Sequence, residues 1–176
     1  ILHASTPKHR QAQRFLNYET IDEYVQCMVD LIRAVDQLKG YKLILRFRPI
    51  DGLTQEELKK LLPESPNYTI ESGGNFNDYL AIVDLLVSFS STTMEEALLN
   101  HVTVLQYDKF NRYEHIPGAL LSSQSPWPGV NPVYTVHGEE DLSFALKSLT
   151  RCLGIQNIIY PHICHANVQF LYIENK

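Results

Sequence analysis

Short apolar runs at strand spacing alternate along the chain with apolar stripes at helix spacing. The strongest stripe is Ile21, Tyr24, Val25, Met28, Leu31, Ile32, Val35 and Leu38, whose three- and four-residue steps predict one amphipathic helix. Thr20 and Glu23 have capping-box spacing at its start, and Gly40 supplies its stop. Residues 1–4 predict a strand before it, followed by a polar, basic loop over 5–14. Residues 42–47 (KLILRF) predict a second strand, ended by Pro49 and the Asp51-Gly52 turn. Thr54 with Glu57 opens a helix through Leu62, and residues 68–71 form the next strand. A short helix is expected over 75–82. Residues 84–89 (DLLVSF) alternate too little for a half-exposed strand, so both faces are expected to be covered. Then come a helix over 93–99 and a strand over 102–107. Periodicity vanishes across 108–132, which predicts a long loop around Trp127, of the kind that often carries function. A last strand over 133–136 and a last helix over 139–153 complete the domain. Residues 154–176 are expected to pack on it as a tail.

Strands alternating with helices through short connections imply right-handed crossovers and a parallel sheet covered on both faces. The expected fold class is therefore α/β, a three-layer α/β/α Rossmann-like domain with about six parallel strands, spanning residues 1–153. Ligands in such sheets bind outside the carboxyl ends of the strands.

Composition narrows the partners. Of 176 residues, 44% are hydrophobic and 20% charged, the balance of a globular protein. A net charge of -5 argues against general nucleic-acid binding, so no nucleic-acid partner is expected. Cys27, Cys152 and Cys164 are too scattered for a disulfide framework, which points to a reducing, cytoplasmic setting. No apolar run approaches the roughly 18 residues of a membrane span. The chain opens at Ile1 inside an apolar run and without an initiator Met, so it is read as a piece of a longer protein.

Hydroxyls, glycines and cations gather at the strand ends. Ser5 and Thr6 follow the first strand, with Lys8, His9 and Arg10 beyond. Arg46 and Arg48 end the second and share one side of it, spaced to grip a diphosphate bidentately or to pair with surface carboxylates such as Asp51. Ser72, Gly73 and Gly74 follow the third. Ser90, Ser91, Thr92 and Thr93 stand where the fourth strand becomes a helix, where free N–H groups and the helix dipole favour an anion. Plain capping explains part of that run, because Thr92 with Glu95, or Thr93 with Glu96, has capping-box spacing. Glu95 and Glu96 point roughly 100° apart, so one is placed to face the strand ends and a ribose. His101, His115, His137, His162, His165 and Cys164 match no common zinc spacing, and no metal is expected. Neither a P-loop nor a GxGxxG motif is present.

The segment DLLVSFSSTTMEEALLNHVTVLQYD resembles the signature segment in the carboxyl-terminal domain of GT-B glycosyltransferases and the related UDP-GlcNAc 2-epimerases. Ala4-Ser5-Thr6 with Arg10, the pair Ser90-Ser91, and Arg48-Pro49 are similar to elements of CDP-glycerol glycerophosphotransferases and capsule transferases. That resemblance implies a nucleotide-diphosphate-sugar donor of UDP or CDP type, bound as substrate, with no other cofactor. It implies Ser90 on the phosphates, Glu96 on the ribose, and the base near residues 70–72, including Ser72. Ser91, Thr92, Arg46, Ser5, Thr6 and Arg10 join the expected binding set, and Arg48 is the expected catalytic residue, stabilising the leaving diphosphate. It further implies a saccharide or lipid-linked acceptor held by an amino-terminal domain absent from this chain. Peripheral contact with the inner membrane would come through that missing part. Cell-surface polysaccharide or glycoconjugate synthesis is the expected setting. A glycerophosphotransferase, an epimerase donor half and a non-enzymatic α/β interaction module stand as alternatives.

Overall fold

The computed structural model of the chain describes residues 1–5, 19–50, 52–89, 91–112, 114–124 and 129–159, with 153–159 as helical main chain only. Its elements are β1 (Leu2–Ser5), α1 (Ile21–Asp36), β2 (Leu43–Phe47), α2 (Gln55–Leu61), β3 (Tyr68–Glu71), α3 (Phe76–Leu80), β4 (Leu85–Ser88), α4 (Thr93–Leu99), β5 (Thr103–Tyr107), β6 (Ala119–Leu120), β7 (Val133–Val136) and α5 (Glu139–Ile159). The strands form one sheet in the order β3-β2-β1-β4-β5-β7-β6, and every pairing is parallel. This is an α/β domain of Rossmann-like, three-layer build.

The two capping boxes legible in sequence both form. Thr20 Oγ1 accepts the Glu23 N–H at 3.1 Å while the Thr20 N–H donates to the Glu23 carboxylate at 2.9 Å. Thr54 and Glu57 repeat the exchange at the start of α2. Each box satisfies two of the donors that a helix start leaves orphaned.

Burial follows strand position. Every residue of β1, β4 and β7 is buried, whereas the edge strand β3 alternates half-buried with exposed positions. Because successive strand side chains point to opposite faces, the sheet feeds two cores. Leu43, Leu45, Phe47, Leu85, Val87, Leu105 and Tyr107 pack against α1, α2 and α5. Leu2, Ala4, Leu86, Val104 and Val133 pack against α3 and α4.

The structure departs from the sequence reading in two places. A seventh strand, β6, lies inside the expected loop and pairs with β7 through Ala119–Tyr134 and Leu120–Thr135. Two residues are too few to register as a periodicity. The last helix runs through Gly154 to Ile159 rather than stopping at residue 153. A single helical glycine costs about 1 kcal/mol, which a long helix can absorb. Residues 160–176 of the expected tail lie outside the described residues.

Candidate functional site at the carboxyl edge of the sheet

β1 and β4 are neighbours, paired through Leu2–Leu86 and His3–Val87. Their onward connections diverge: β1 leads through α1, on one face, to β2, and β4 leads through α4, on the other face, to β5. This is a topological switch point, where the diverging connections leave a crevice outside the strand ends. Ser5 leaves from one side of it and Ser91 to Thr93 from the other. Thr6, Arg10 and Ser90, expected in the same crevice, lie outside the described residues.

Capping accounts for only part of the hydroxyl run. Thr92 is the N-cap of α4, but its backbone is already helical (φ −61°, ψ −11°) and its side chain makes no capping bond. Neither expected capping box forms. The Ser91 hydroxyl accepts the Thr93 N–H at 3.3 Å, and Thr93 Oγ1 donates to the Ala4 carbonyl at 3.0 Å, bracing α4 against β1. Thr92 is left exposed. The two glutamates divide as their spacing requires. Glu95 Oε1 meets His115 Nε2 at 2.9 Å, whereas Glu96 is exposed and no described residue bonds its carboxylate.

Arg46 lies on the α3 side of β2, where its guanidinium sits 5.3 Å from the Phe76 ring centre and 5.7 Å from that of Tyr79. Its Nη2 donates to the Gly74 carbonyl at 3.1 Å, and Tyr79 Oη donates to Gly73 O at 3.1 Å. Arg46 and Tyr79 therefore pin the loop after β3. Gly74 adopts φ +81°, and a Cβ there would come within 3.2 Å of Tyr79. Arg46 Nε is buried without a described partner. Arg48 is exposed just beyond the end of β2. Ser72 is exposed at the end of the edge strand β3. Three strand spacings, about 14 Å, separate that strand from β4. The fold thus brings Ser5, Ser91 and Thr92 to one crevice, carries Glu96 about one turn further along α4, and sets Ser72 to its flank.

Ser5 has a constraint that the sequence reading missed. His3, fully buried beneath it, has Nδ1 2.9 Å from the Val87 carbonyl and Nε2 2.8 Å from Ser5 Oγ. A carbonyl only accepts, so the imidazole proton resides on Nδ1 and Nε2 takes the Ser5 hydroxyl hydrogen. Burial lowers the His3 pKa to about 4, partly opposed by the Val87 bond, which keeps the ring neutral near pH 7. The Ser5 hydroxyl, itself buried, also lies 3.3 Å from Tyr24 Oη, which donates to the Ser5 carbonyl at 3.2 Å, so the side chain is tied to α1 as well as to His3. The signal available in sequence was a histidine inside an apolar strand.

Other polar residues inside apolar strands were passed over for the same reason. Ser88, Gln106 and Thr135 form a transverse row on the α3/α4 face, in register across β4, β5 and β7. Elsewhere, buried Asp30 on α1 receives Tyr107 Oη at 2.8 Å, Lys109 Nζ at 2.5 Å and Gln26 Nε2 at 2.9 Å, a satisfied network. A cavity of about 390 Å³ at the start of α5 is lined by Glu139, Glu140 and Asp141, a charge that repels anions. Among the described residues no cluster of three His, Cys, Asp or Glu side chains stands ready for a metal ion, and no helix is long and apolar enough to cross a membrane.

No family model matches the chain, and no curated protein matches it. The site therefore has to be read from its own geometry.

Proposed function

We propose that this chain is the donor-binding domain of a glycosyltransferase that uses a nucleotide-diphosphate-sugar, acting in cell-surface polysaccharide or glycoconjugate synthesis. The observation that carries the reading is the coincidence of the β1/β4 switch point with the hydroxyl-bearing exits at Ser5 and Ser91 to Thr93. Main-chain N–H groups at the start of α4, with the hydroxyls of Ser90, Ser91 and Thr92, suit the diphosphate. Glu96, exposed and without a described partner, suits the two ribose hydroxyls. Arg48 and Arg10 supply positive charge as the diphosphate departs, which is electrostatic stabilisation of charge developing in the transition state. The acceptor and the base that deprotonates it would come from a second domain. The test is calorimetric titration of the chain with UDP, CDP, GDP and CMP. Binding of one diphosphate supports the reading and identifies the base, whereas no binding by any of the four supports an interaction module instead.

A further inference from the structure

Buried polar atoms in proteins almost always have a hydrogen-bond partner, and the exceptions call for a reason. Among the described residues the buried side-chain atoms without one are Arg46 Nε, Ser88 Oγ and Gln106 Nε2. All three residues project to the α3/α4 face, near the carboxyl end of the sheet. Arg46 stands apart, across Ala4, where Thr93 of α4 is bonded to the main chain. Ser88 and Gln106 are direct neighbours, paired in register on adjacent strands and both 0% exposed.

The orientation of the Gln106 amide follows from its partners. Its Oε1 accepts the N–H groups of His115 and Ile116 at 3.3 and 3.4 Å, so its NH₂ is directed elsewhere and left unmatched. The third member of the row, Thr135, is already spent on Glu114 at 3.4 Å. What remains is a donor amide and a hydroxyl side by side, which together suit one ligand oxygen. Ser88 is the last residue of β4, and Ser91, at the turn into α4, follows three residues later, at most about 10 Å along the chain. That is the reach of the group attached to a diphosphate held there.

We propose that Ser88 and Gln106 bind the glycosyl part of the donor, through one of its hydroxyl or carbonyl oxygens. This inference rests on the donor-binding reading above. Residues 114–118 lie over Gln106 and its neighbour Thr135, held by Glu114 on Thr135, by the His115–Glu95 contact and by the two long bonds to Gln106. These bonds lie beyond the usual N–H···O range and are the ones a ligand loosens to reach the pair.

The experiment compares, by calorimetry, the affinity of the chain for UDP and CDP with that for UDP-glucose, UDP-N-acetylglucosamine and CDP-glycerol. Two variants accompany the native chain. Gln106→Glu keeps an oxygen for His115 and Ile116 while deleting the N–H donor, and Ser88→Ala deletes the hydroxyl at little risk to folding. The expected result is that at least one glycosylated or glycerol-linked donor binds more tightly than its free diphosphate. Both variants would lower that affinity about fivefold, the worth of one hydrogen bond, and leave the free diphosphate within about twofold. Equal weakening of both ligands, no effect on either, or a native chain that gains nothing from the linked group would overturn the assignment of the pair alone. A native chain that binds none of the diphosphates would overturn the donor-binding reading with it.

Discussion

Thr93 Oγ1 donates to the main-chain carbonyl of Ala4 across 3.0 Å, tying the first turn of α4 to β1 at the point where the sheet's connections diverge. A helix start and a strand end that belong to different crossovers are thereby held as one rigid edge. Removing the hydroxyl should loosen that edge. Thr93→Val is expected to lower stability by about 1 kcal/mol, the net worth of a typical intramolecular hydrogen bond, while Thr93→Ser retains it. Urea unfolding of the two variants measures the difference, and equal midpoints would remove the brace from the account.

The adjacent glutamates of α4 should behave differently. Glu95 is engaged with His115, whereas Glu96 has no described partner for its carboxylate. Glu96→Ala is expected to weaken diphosphate binding by about tenfold or more, the scale of a hydrogen bond to a charged group. Glu95→Ala should change it by less than about threefold. Calorimetry with the diphosphate that binds makes the comparison, and equal losses would withdraw Glu96 from the ribose.

Gly118 tests the packing of the covering segment. A Cβ at this position would lie 2.5 Å from Thr135 Oγ1 and 3.2 Å from the Tyr134 main-chain carbon. Backbone cannot swing aside as a long side chain can, so Gly118→Ala is expected to cost about 1–3 kcal/mol. A denaturation midpoint unchanged from the native chain would show that residues 114–118 pack less tightly than described.

His3 gives the fold a pH dependence of defined sign. Its folded pKa, about 4, lies below the unfolded value near 6.5 because burial disfavours the charged ring. Between those values the unfolded state binds the extra proton, so stability is full above about pH 6.5 and falls as pH drops through 4. The loss is on the order of 3 kcal/mol. Glu23 adds a separate, lower window. Its hydrogen bonds with Arg112 hold its pKa near 2, so its contribution disappears as pH falls from 4.5 towards 2. His3→Gln should flatten the stability profile between pH 6.5 and 4 and leave the lower window in place. Chemical denaturation across that range would contradict the assignment if both proteins lost stability in parallel.

The parts of the fold carried by repeated local signals were legible in sequence. The α1 stripe, both capping boxes and the strands at 68–71 and 133–136 depend on neighbours a few residues away, and sequence spacing reports such neighbours directly. β6 was not legible because two residues gain their strand character only from pairing with β7. The site divided the same way. Ser91, Thr92 and Glu96 were found because the helix start that displays them is local. The bond from Ser5 to His3 was missed, although the two share one face of β1, because it depends on the ring being turned by the Val87 carbonyl of another strand. The pairing of Ser88 with Gln106 was missed because it depends on the register between two strands. Capping misled for a related reason. Thr92 and Thr93 have the right spacing, but the turn enters α4 with helical backbone at Thr92 and turns the Thr93 hydroxyl towards β1.

The central claim is that a nucleoside diphosphate binds at the β1/β4 switch point, and amide chemical-shift mapping during titration with UDP or CDP tests it most directly. The account predicts that the largest changes fall on Ser91, Thr92, Thr93 and Met94, with Ser5 responding from across the crevice. Changes confined to the start of α5, around Gly138 to Asp141, or no changes at all, would contradict it.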